Sequence, residues 1–216
     1  MVKIQAVIFD MDGTLVDNMD YHKQSWIALF EYLNLNLDYH TFDQKYHKGS
    51  LVEIMARLIP HVTDTEELKR IGSKKEAFYR DLYRPYIAAL PGAVSFLQQL
   101  QHCQIPMGLA TMGDQHNIDF IFEALNIRSY FHSTTGGHEV THGKPHPEIF
   151  LTAAEKLNVA PKDCLVFEDT RSGVTAAQAA GMEVIGITTM FDRKTLLDLG
   201  CRQAISDFKE LEGSFL

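Results

Sequence analysis

Residues 4–17 read Ile-Gln-Ala-Val-Ile-Phe-Asp-Met-Asp-Gly-Thr-Leu-Val-Asp. The continuous apolar run from Ala6 to Phe9 contains β-branched residues and predicts a strand that is buried on both faces of a parallel sheet. Asp10 and Asp12 follow this run, and Gly13 supplies the backbone freedom that a tight turn at the end of a strand requires. Because open α/β sheets bind ligands at the carboxyl ends of their strands, the two carboxylates are expected to lie at a binding site.

The close spacing of Asp10 and Asp12 needs a physical explanation. Two neighbouring carboxylates repel each other, so the pair requires a cation, a shared proton, or both. Aspartate is also common in turns, and the two residues could simply cap this one. One acid would be enough for that purpose, so we favour a functional site whose remaining ligands come from other parts of the chain.

The composition argues against several classes of partner. The chain has 216 residues, of which 45% are hydrophobic, and its 20 lysines and arginines against 28 aspartates and glutamates give a formal net charge of −8. This charge argues against a broad surface for nucleic acid or for an anionic membrane. The first residues lack the apolar segment of a signal peptide, and no run approaches the roughly 18–20 apolar residues of a membrane span. We expect a soluble, cytoplasmic monomer with no nucleic-acid or membrane partner.

The spacing of the hydrophobic residues predicts two domains. Residues 17–86 are helical in pattern throughout, with no strand signal, and predict a small all-helical cap domain inserted after the first strand. From Pro91 onward helices alternate with short apolar runs, which is typical of βαβ units. The predicted fold class is therefore α/β, with a doubly wound, Rossmann-like parallel-sheet core formed by residues 1–16 and 87–216. The core strands are predicted at residues 6–9, 105–110, 131–134, 164–167 and 184–187.

Several of the predicted strands end at polar side chains. Thr111 follows the second strand, Glu168 and Asp169 follow the fourth, and Lys144 lies in a loop between them. The ends of sequential strands converge at one edge of a doubly wound sheet, so these groups are expected to meet the first two aspartates in one site. Four acids, a lysine and a hydroxyl suit a magnesium ion and a phosphoryl group, which a carboxylate can attack to form an aspartyl phosphate. By itself, a threonine at a strand end or a lysine in a solvated loop would not indicate a functional site.

The order and context of these motifs resemble the haloacid dehalogenase superfamily, within it the branch with a helical cap that includes β-phosphoglucomutase and small-molecule phosphatases. The four motifs that carry the resemblance are residues 10–14 (Asp-Met-Asp-Gly-Thr), Thr111, Lys144 and the pair Glu168-Asp169. The strings Gly-Lys-Pro-His-Pro-Glu-Ile-Phe at 143–150 and Phe-Glu-Asp-Thr-Arg-Ser-Gly at 167–173 are also similar to the family's sequences around these motifs. The resemblance spans nearly the whole chain.

The resemblance implies roles for the acids. Asp10 would be the nucleophile, and Asp12 the general acid and base that first protonates the leaving group and later activates the acceptor. Mg²⁺ would be the cofactor. It would be held by the Asp10 carboxylate, the Asp12 backbone carbonyl and Asp169, with Glu168 near or in the coordination shell.

The resemblance also implies how a phosphoryl group would be bound. Thr111 and the backbone at Met112 and Gly113 would bind the phosphoryl oxygens. Lys144 would offset charge between Asp10 and the phosphoryl group, a role that suits a compact ammonium.

The candidate substrate residues of the cap are fewer and less distinctive. His22 is near the position where a histidine of the mutase assists proton transfer, and Lys75 falls where the mutase has a substrate-binding lysine. Taken alone, each is better explained as part of an exposed helix face. The mutase has an arginine near the next loop. Here residues 46–50 read Tyr-His-Lys-Gly-Ser, so that this arginine is missing or replaced by His47 or Lys48.

These patterns lead to a main expectation and two alternatives. The main one is a magnesium-dependent phosphatase or phosphotransferase acting on small phosphorylated metabolites, such as sugar or polyol phosphates. Thr14 favours it, because the mutase usually has valine at this position. A β-phosphoglucomutase is the first alternative, and a non-enzymatic phospho-accepting signalling domain is the second; a signalling domain would have no need of a helical cap.

One further motif points elsewhere. Residues 138–142, His-Glu-Val-Thr-His, match the zinc protease pattern His-Glu-x-x-His, which requires a helix that places both histidines on one face. Glycines precede the motif and Gly-Lys-Pro follows it, so a helix here would have barely one turn. We therefore interpret the segment as a loop and the match as chance.

Overall fold

The computed structural model describes residues 4–46 and 49–211 of the chain. It divides into two compact units, one formed by Met1–Asp17 with Ile87–Leu216 and the other by Asn18–Tyr86. Among the described residues, no helix has both the length and the apolar character needed to cross a membrane.

The larger unit is built on a six-stranded sheet in which every neighbouring pair is parallel. The strand order is β3-β2-β1-β4-β5-β6. β2 and β3 lie on one side of β1, and β4, β5 and β6 lie on the other, so the direction of strand addition reverses between β1 and β4. This arrangement is that of doubly wound sheets, in which ligands bind where the direction reverses. The strands are β1 Ala6–Phe9, β2 Met107–Ala110, β3 Ser133–Thr135, β4 Cys164–Glu168, β5 Glu183–Ile187 and β6 Gln203–Ile205.

Helices cover both faces of this sheet, which explains why its central strands are apolar throughout. On one face Ile8 belongs to a buried cluster with Ile149 and Phe150. On the other face the ring of Phe9 stacks on that of Phe167, with centroids 5.1 Å apart, and both rings contact Phe96. The α-helices in the described part of this unit are α5 Ala93–His102, α6 Gln115–Leu125, α7 Glu148–Leu157, α8 Arg171–Ala179 and α9 Arg193–Asp198.

The described residues of the smaller unit form helices and connecting loops, with no strand among them. Its helices are α1 Met19–Tyr32, α2 Tyr39–Lys45, α3 Leu51–Leu58 and α4 Thr65–Tyr83. α4 packs against both α1 and α3, around a buried cluster that includes Trp26, Phe42 and Met55. Ser50 begins α3 with a reciprocal cap, in which its hydroxyl accepts from the Glu53 N–H and the Glu53 carboxylate accepts from the Ser50 N–H.

The fold class predicted from the sequence is confirmed, and the differences concern individual elements. β6 and α9 were not predicted. The second strand begins at Met107 rather than Ile105, since Pro106 has no N–H to give to a ladder. Asn18 lies at the N-cap of α1, but its side chain donates to the Tyr79 hydroxyl at 2.6 Å instead of capping the helix.

Candidate active site

Three carboxylates lie side by side where the strand order reverses. Asp10 directly follows β1, and its N–H donates to the Phe167 carbonyl of β4 at 3.0 Å. Glu168 ends β4 and Asp169 follows it. Asp10, Glu168 and Asp169 are all buried, and one oxygen from each lies within 4.8 Å of the others. The strand ends thus bring together three of the acids that the sequence singled out.

Lys144 inserts its ammonium among these acids. Its Nζ lies 2.6 Å from Asp10 Oδ1, 2.7 Å from Glu168 Oε1 and 3.3 Å from the Ala110 carbonyl at the end of β2. The side chain is 7% exposed, and Nζ lies 4.9 Å from the centroid of the Phe150 ring. One cation from the loop between β3 and α7 therefore links the ends of three adjacent strands.

The charges in this cluster do not balance. Burial raises the pKa of Asp10 to about 8, although Lys144 acts in the opposite direction, and the neighbouring Glu168 and Asp12 raise it further. Burial, followed by the charges of Glu168 and Asp10, also raises the pKa of Asp169 well above its usual range. Burial alone would lower the pKa of Lys144, but the two carboxylates outweigh it and the pKa is raised. When all three carboxyls ionise, they leave an excess of negative charge beside one ammonium, and a divalent cation would replace the protons that otherwise offset it.

Asp169 has an oxygen that fits such a cation. Its Oδ2 lies 3.2 Å from the Thr189 hydroxyl, which also lies 2.6 Å from the Gly13 carbonyl. Its Oδ1 is buried and accepts no hydrogen bond from any residue that the structure describes. A buried carboxylate oxygen is costly to leave without a partner. Buried acidic oxygens around an uncompensated charge are suitable ligands for a hard divalent metal ion.

Two glycines make the close approach of these acids possible. A Cβ on Gly13 would lie 1.9 Å from Asp169 Oδ2, and the φ of +78° at this residue also disfavours a side chain. A Cβ on Gly173 would lie 1.7 Å from Glu168 Oε1. These positions therefore have to lack a side chain for the carboxylates to keep their places.

The positions of the acids are held by residues that sequence reasoning missed. Thr170 donates to Glu168 Oε2 from its N–H at 2.7 Å and from its hydroxyl at 2.9 Å. The Thr189 hydroxyl, in the segment after β5, lies beside Asp169 Oδ2 at 3.2 Å and makes its shorter contact, 2.6 Å, with the Gly13 carbonyl. Thr189 lies two residues after the end of β5. Applying the expectation that polar residues at strand ends line the site to β5 as well would therefore have predicted it.

The candidate phosphoryl-binding residues follow the neighbouring strand. Thr111 comes directly after β2, is 1% exposed, and its hydroxyl accepts from the Gly113 N–H at 3.1 Å. Met112 between them is partly exposed. Asp12 is half-buried in the turn after β1. All of these residues belong to the same unit as Asp10.

The candidate cap residues lie within the helical unit. Lys75 is 3% exposed, so the alternative of an exposed helix face is wrong for this residue. Its Nζ lies 2.9 Å from His22 Nδ1 and 3.0 Å from Glu76 Oε1, and the His22 ring stacks on Tyr79 with centroids 3.8 Å apart. The remaining two candidates, His47 and Lys48, lie outside the described residues.

The His-Glu-x-x-His segment does not form a zinc protease site. Residues Gly137–Glu139 make one short 3₁₀ turn, and Val140 is extended at φ −122° and ψ 150°. His138 and His142 therefore do not share a face of an α-helix. Glu139, the base of that motif, instead binds Lys156 Nζ at 2.5 Å and the Gly136 N–H at 2.9 Å.

The chain is similar over most of its length to known proteins of one family. A model of the haloacid dehalogenase-like hydrolase family matches residues 4–181. The chain is 31% identical over 207 residues to a phosphorylated carbohydrates phosphatase of Thermotoga maritima, covering 91% of this chain and 92% of that protein. It is 31% identical over 193 residues to a β-phosphoglucomutase of Bacillus subtilis, covering 85% and 83%. A crystal structure of a family IA hydrolase from Entamoeba histolytica superposes with a TM-score of 0.85 at 29% identity, over 96% of this chain and 95% of the other.

Proposed function

Since the chain belongs to the haloacid dehalogenase-like hydrolases, we propose that it is a magnesium-dependent phosphatase that acts on small sugar or polyol phosphates through an aspartyl phosphate on Asp10. The observation that carries the proposal is the buried group of Asp10, Glu168 and Asp169 around the Lys144 ammonium. Relatives that are phosphatases of phosphorylated carbohydrates and of fructose 1-phosphate support the substrate class.

Mg²⁺ is the proposed cofactor. The Asp10 carboxylate, the Asp12 backbone carbonyl and Asp169 would hold it. Glu168 already binds Lys144 and Thr170 and would stand in or beside the shell. When bound, the ion would offset the negative charge of the phosphoryl oxygens. The buried Asp169 Oδ1 and the excess of acids over ammonium in the cluster support this assignment.

The proposed reaction has two steps, both of which use the aspartates. In the first, an Asp10 oxygen attacks phosphorus, the bond to the leaving alcohol breaks, and Asp12 gives that alcohol oxygen a proton. In the second, Asp12 takes a proton from a water molecule, whose oxygen attacks phosphorus and releases inorganic phosphate from Asp10. Asp12 is the better placed of the two for proton transfer, because it is half-buried whereas Asp10 is fixed by Lys144.

The remaining residues would position the phosphoryl group. The Thr111 hydroxyl and the N–H groups of Met112 and Gly113 would donate to its oxygens as charge develops on them. In the described structure the Gly113 N–H donates to the Thr111 hydroxyl, so a phosphoryl oxygen would take over this N–H when it binds. Lys144 would lie between Asp10 and the phosphoryl group and reduce their repulsion.

The proposal is tested by phosphate release from a panel of sugar and polyol phosphates in the presence of Mg²⁺. The Asp10→Asn protein is the matched control, since the amide has the same shape but cannot act as the nucleophile. We expect at least one substrate that the original protein hydrolyses and the variant does not. Equal release by both proteins for every substrate would overturn the proposal.

A phosphomutase is the second candidate, supported by the relative from Bacillus subtilis. It would use the same aspartyl phosphate but return the phosphoryl group to a second sugar hydroxyl. A phospho-accepting signalling domain is the remote third candidate. Persistence of the phosphoryl-protein for hours, with no turnover, would favour it.

A further inference from the structure

A second group of potential metal ligands lies on the loop that carries Lys144. We propose that His142, His146 and Glu148 bind one transition-metal ion of the Zn²⁺ type at a site separate from the buried acids. One ligand atom from each residue lies within 4.8 Å of the others. The set differs chemically from the Asp10 cluster, because it combines two imidazoles with a single carboxylate.

The distances between the donor atoms suit a tetrahedral ion. His142 Nδ1 lies 3.0 Å from Glu148 Oε2, and His146 Nδ1 lies 3.7 Å from the same oxygen. Ligands at about 2.0–2.2 Å from a tetrahedral Zn²⁺ are about 3.3–3.6 Å from one another. The two observed separations lie on either side of this range, so a bound ion would replace the contact between His142 Nδ1 and Glu148 Oε2 and would require the imidazoles to rotate.

The carboxylate of this group is already held in place. Glu148 Oε1 accepts from the Thr141 N–H at 2.8 Å, and Oε2 accepts from the His142 N–H at 2.9 Å. These backbone donors, together with His142, hold the pKa of Glu148 below its usual range, so the group stays ionised. A carboxylate oxygen has enough lone pairs to accept a backbone N–H and bind a metal ion at the same time.

The two imidazoles are accessible, and Nδ1 of one of them accepts a hydrogen bond from the backbone of Glu148. His146 Nδ1 accepts from the Glu148 N–H at 3.3 Å, a long contact that a metal ion could replace. The side chains of His142 and His146 are 63% and 51% exposed, so a cation can reach them from solvent. Three protein ligands with an open side facing water form a site whose fourth ligand would be a water molecule.

The ligand types decide which metal would bind. Imidazole nitrogen with one carboxylate favours Zn²⁺, Co²⁺ or Ni²⁺ over Mg²⁺, which prefers oxygen ligands and keeps its water. The His-Glu-x-x-His motif thus contributes only its second histidine to the proposed metal site. That histidine combines with His146 and Glu148 further along the chain rather than with His138.

The position of the site has a consequence for the loop. His142 and His146 lie two residues before and two residues after Lys144, whose ammonium contacts Asp10 and Glu168. A metal ion bound by both histidines would restrain the backbone on each side of this lysine. We expect Zn²⁺ to slow amide hydrogen exchange in residues 141–148.

The competing explanation is purely structural. Glu148 lies in the first turn of α7, and its carboxylate could serve only to bind the loop N–H groups of Thr141 and His142. In that case the two histidines would not bind a metal ion, and their removal would not alter the affinity of the protein for Zn²⁺.

The test is a Zn²⁺ titration of the full chain without a histidine tag, in excess Mg²⁺ so that the buried acids are occupied, with a chromogenic chelator as competitor. We expect one Zn²⁺ per chain, and a loss of affinity of about tenfold or more for His142→Ala and for His146→Ala. The exposed His138→Ala variant is the matched control and should bind as the original does. Circular dichroism of each variant checks the fold.

A second measurement replaces Zn²⁺ by Co²⁺, whose tetrahedral complexes absorb visible light much more strongly than its octahedral ones. The original protein and the His138→Ala protein should both give this absorption, and the other two variants should not. Unchanged Zn²⁺ affinity in His142→Ala and His146→Ala, absence of stoichiometric binding to the original protein, or an equal loss in His138→Ala would each overturn the proposal.

Discussion

Lys144 Nζ lies 2.6 Å from Asp10 Oδ1, although the two residues are 134 positions apart in the chain. Both side chains are less than a tenth exposed, so the pair is largely shielded from water. Removing one partner of such a pair leaves the other as a buried, uncompensated charge. Here the effect is larger than for a simple pair, because Glu168 shares the same ammonium.

The first prediction concerns Lys144→Met. Without Mg²⁺ we expect this substitution to lower the free energy of unfolding by about 3–5 kcal/mol, since the buried acids lose their only described cation. Catalytic turnover should fall about 10²–10³-fold, as for other groups that stabilise developing charge. Urea unfolding and phosphate release measure the two effects.

Lys156→Met is the matched control for stability, because Lys156 also pairs with a carboxylate, that of Glu139, but both side chains are 32% exposed. It should cost at most about 1 kcal/mol. Equal stability of the two variants would contradict the view that the Lys144 pair is a buried one.

The second prediction concerns Asp10→Asn. The amide cannot attack phosphorus, so turnover should fall about 10³-fold or more. The fold should survive, because the raised pKa of about 8 already keeps the Asp10 carboxyl protonated near neutral pH in the metal-free protein, and the amide is likewise uncharged. Asp198→Asn, at an exposed acid paired with Lys194, should retain full activity. Retention of a tenth of the original activity in Asp10→Asn would exclude this residue as the nucleophile.

The strand ends explain how much of the site could be predicted from the sequence. Each of Asp10, Thr111 and Glu168 stands at the end of an apolar run, and parallel pairing brings such ends to one edge whatever their distance in sequence. The sequence could not show that Lys75 is buried, because a lysine on an amphipathic helix is normally solvated. Its burial results from tertiary packing, in which its ammonium contacts His22 and lies over the Trp26 ring of α1.

The elements that were missed are those with the weakest local signal. β6 has three residues, of which Gln203 is exposed, so it shows neither a continuous apolar run nor a clear alternation. α9 has six residues and only Leu196 is buried, so its pattern is too short to define a helical stripe. Both elements depend on pairing and packing with β5, which local sequence does not encode.

The third prediction concerns pH and metal. In the metal-free protein the pKa of Asp10 is raised to about 8 from 3.8, so the folded state holds a proton that the unfolded state has lost between these two values. The free energy of unfolding should therefore fall as pH rises from about 4 to about 8. Mg²⁺ favours the ionised carboxylates, so its stabilising effect should grow over the same interval.

Thermal unfolding at several pH values, with Mg²⁺ and with a chelator, measures this dependence. The slope in the chelated protein should be smaller in Asp10→Asn, which has one titrating group fewer. A metal-free protein whose stability rises steadily between pH 5 and pH 8 would contradict the raised pKa.

The fourth prediction separates backbone strain from crowding of the site. Gly13→Ala would place its Cβ 1.9 Å from Asp169 Oδ2, at a φ of +78°. Gly181 has nearly the same φ, +80°, but a Cβ there meets nothing within 4 Å. Both alanine variants should lose about 1–2 kcal/mol of stability from the left-handed backbone alone.

Only Gly13→Ala should also displace Asp169, and we expect its Mg²⁺ affinity to fall about tenfold or more. Titration of Mg²⁺ against activity for the two variants measures this difference. If both variants bind Mg²⁺ as the original protein does, Asp169 is not a ligand that depends on the close approach of Gly13.

The last prediction concerns the acceptor of the phosphoryl group, which is either water or a second sugar hydroxyl. A mutase must hold a bisphosphate by its second phosphate while the sugar turns, and a bidentate guanidinium suits that purpose. Residues 46–50 contain no arginine. The Lys75 ammonium contacts Glu76 and His22, so part of its charge is already offset within the helical unit. We therefore expect the second phosphate to bind weakly and water to compete well for the aspartyl phosphate.

The measurement supplies β-glucose 1-phosphate with a trace of the 1,6-bisphosphate and Mg²⁺, and follows inorganic phosphate and glucose 6-phosphate together. Phosphate should form faster than glucose 6-phosphate. If glucose 6-phosphate forms faster, the protein is a mutase and the phosphatase assignment is wrong. Loss of both products in Asp10→Asn would show that either activity uses the same nucleophile.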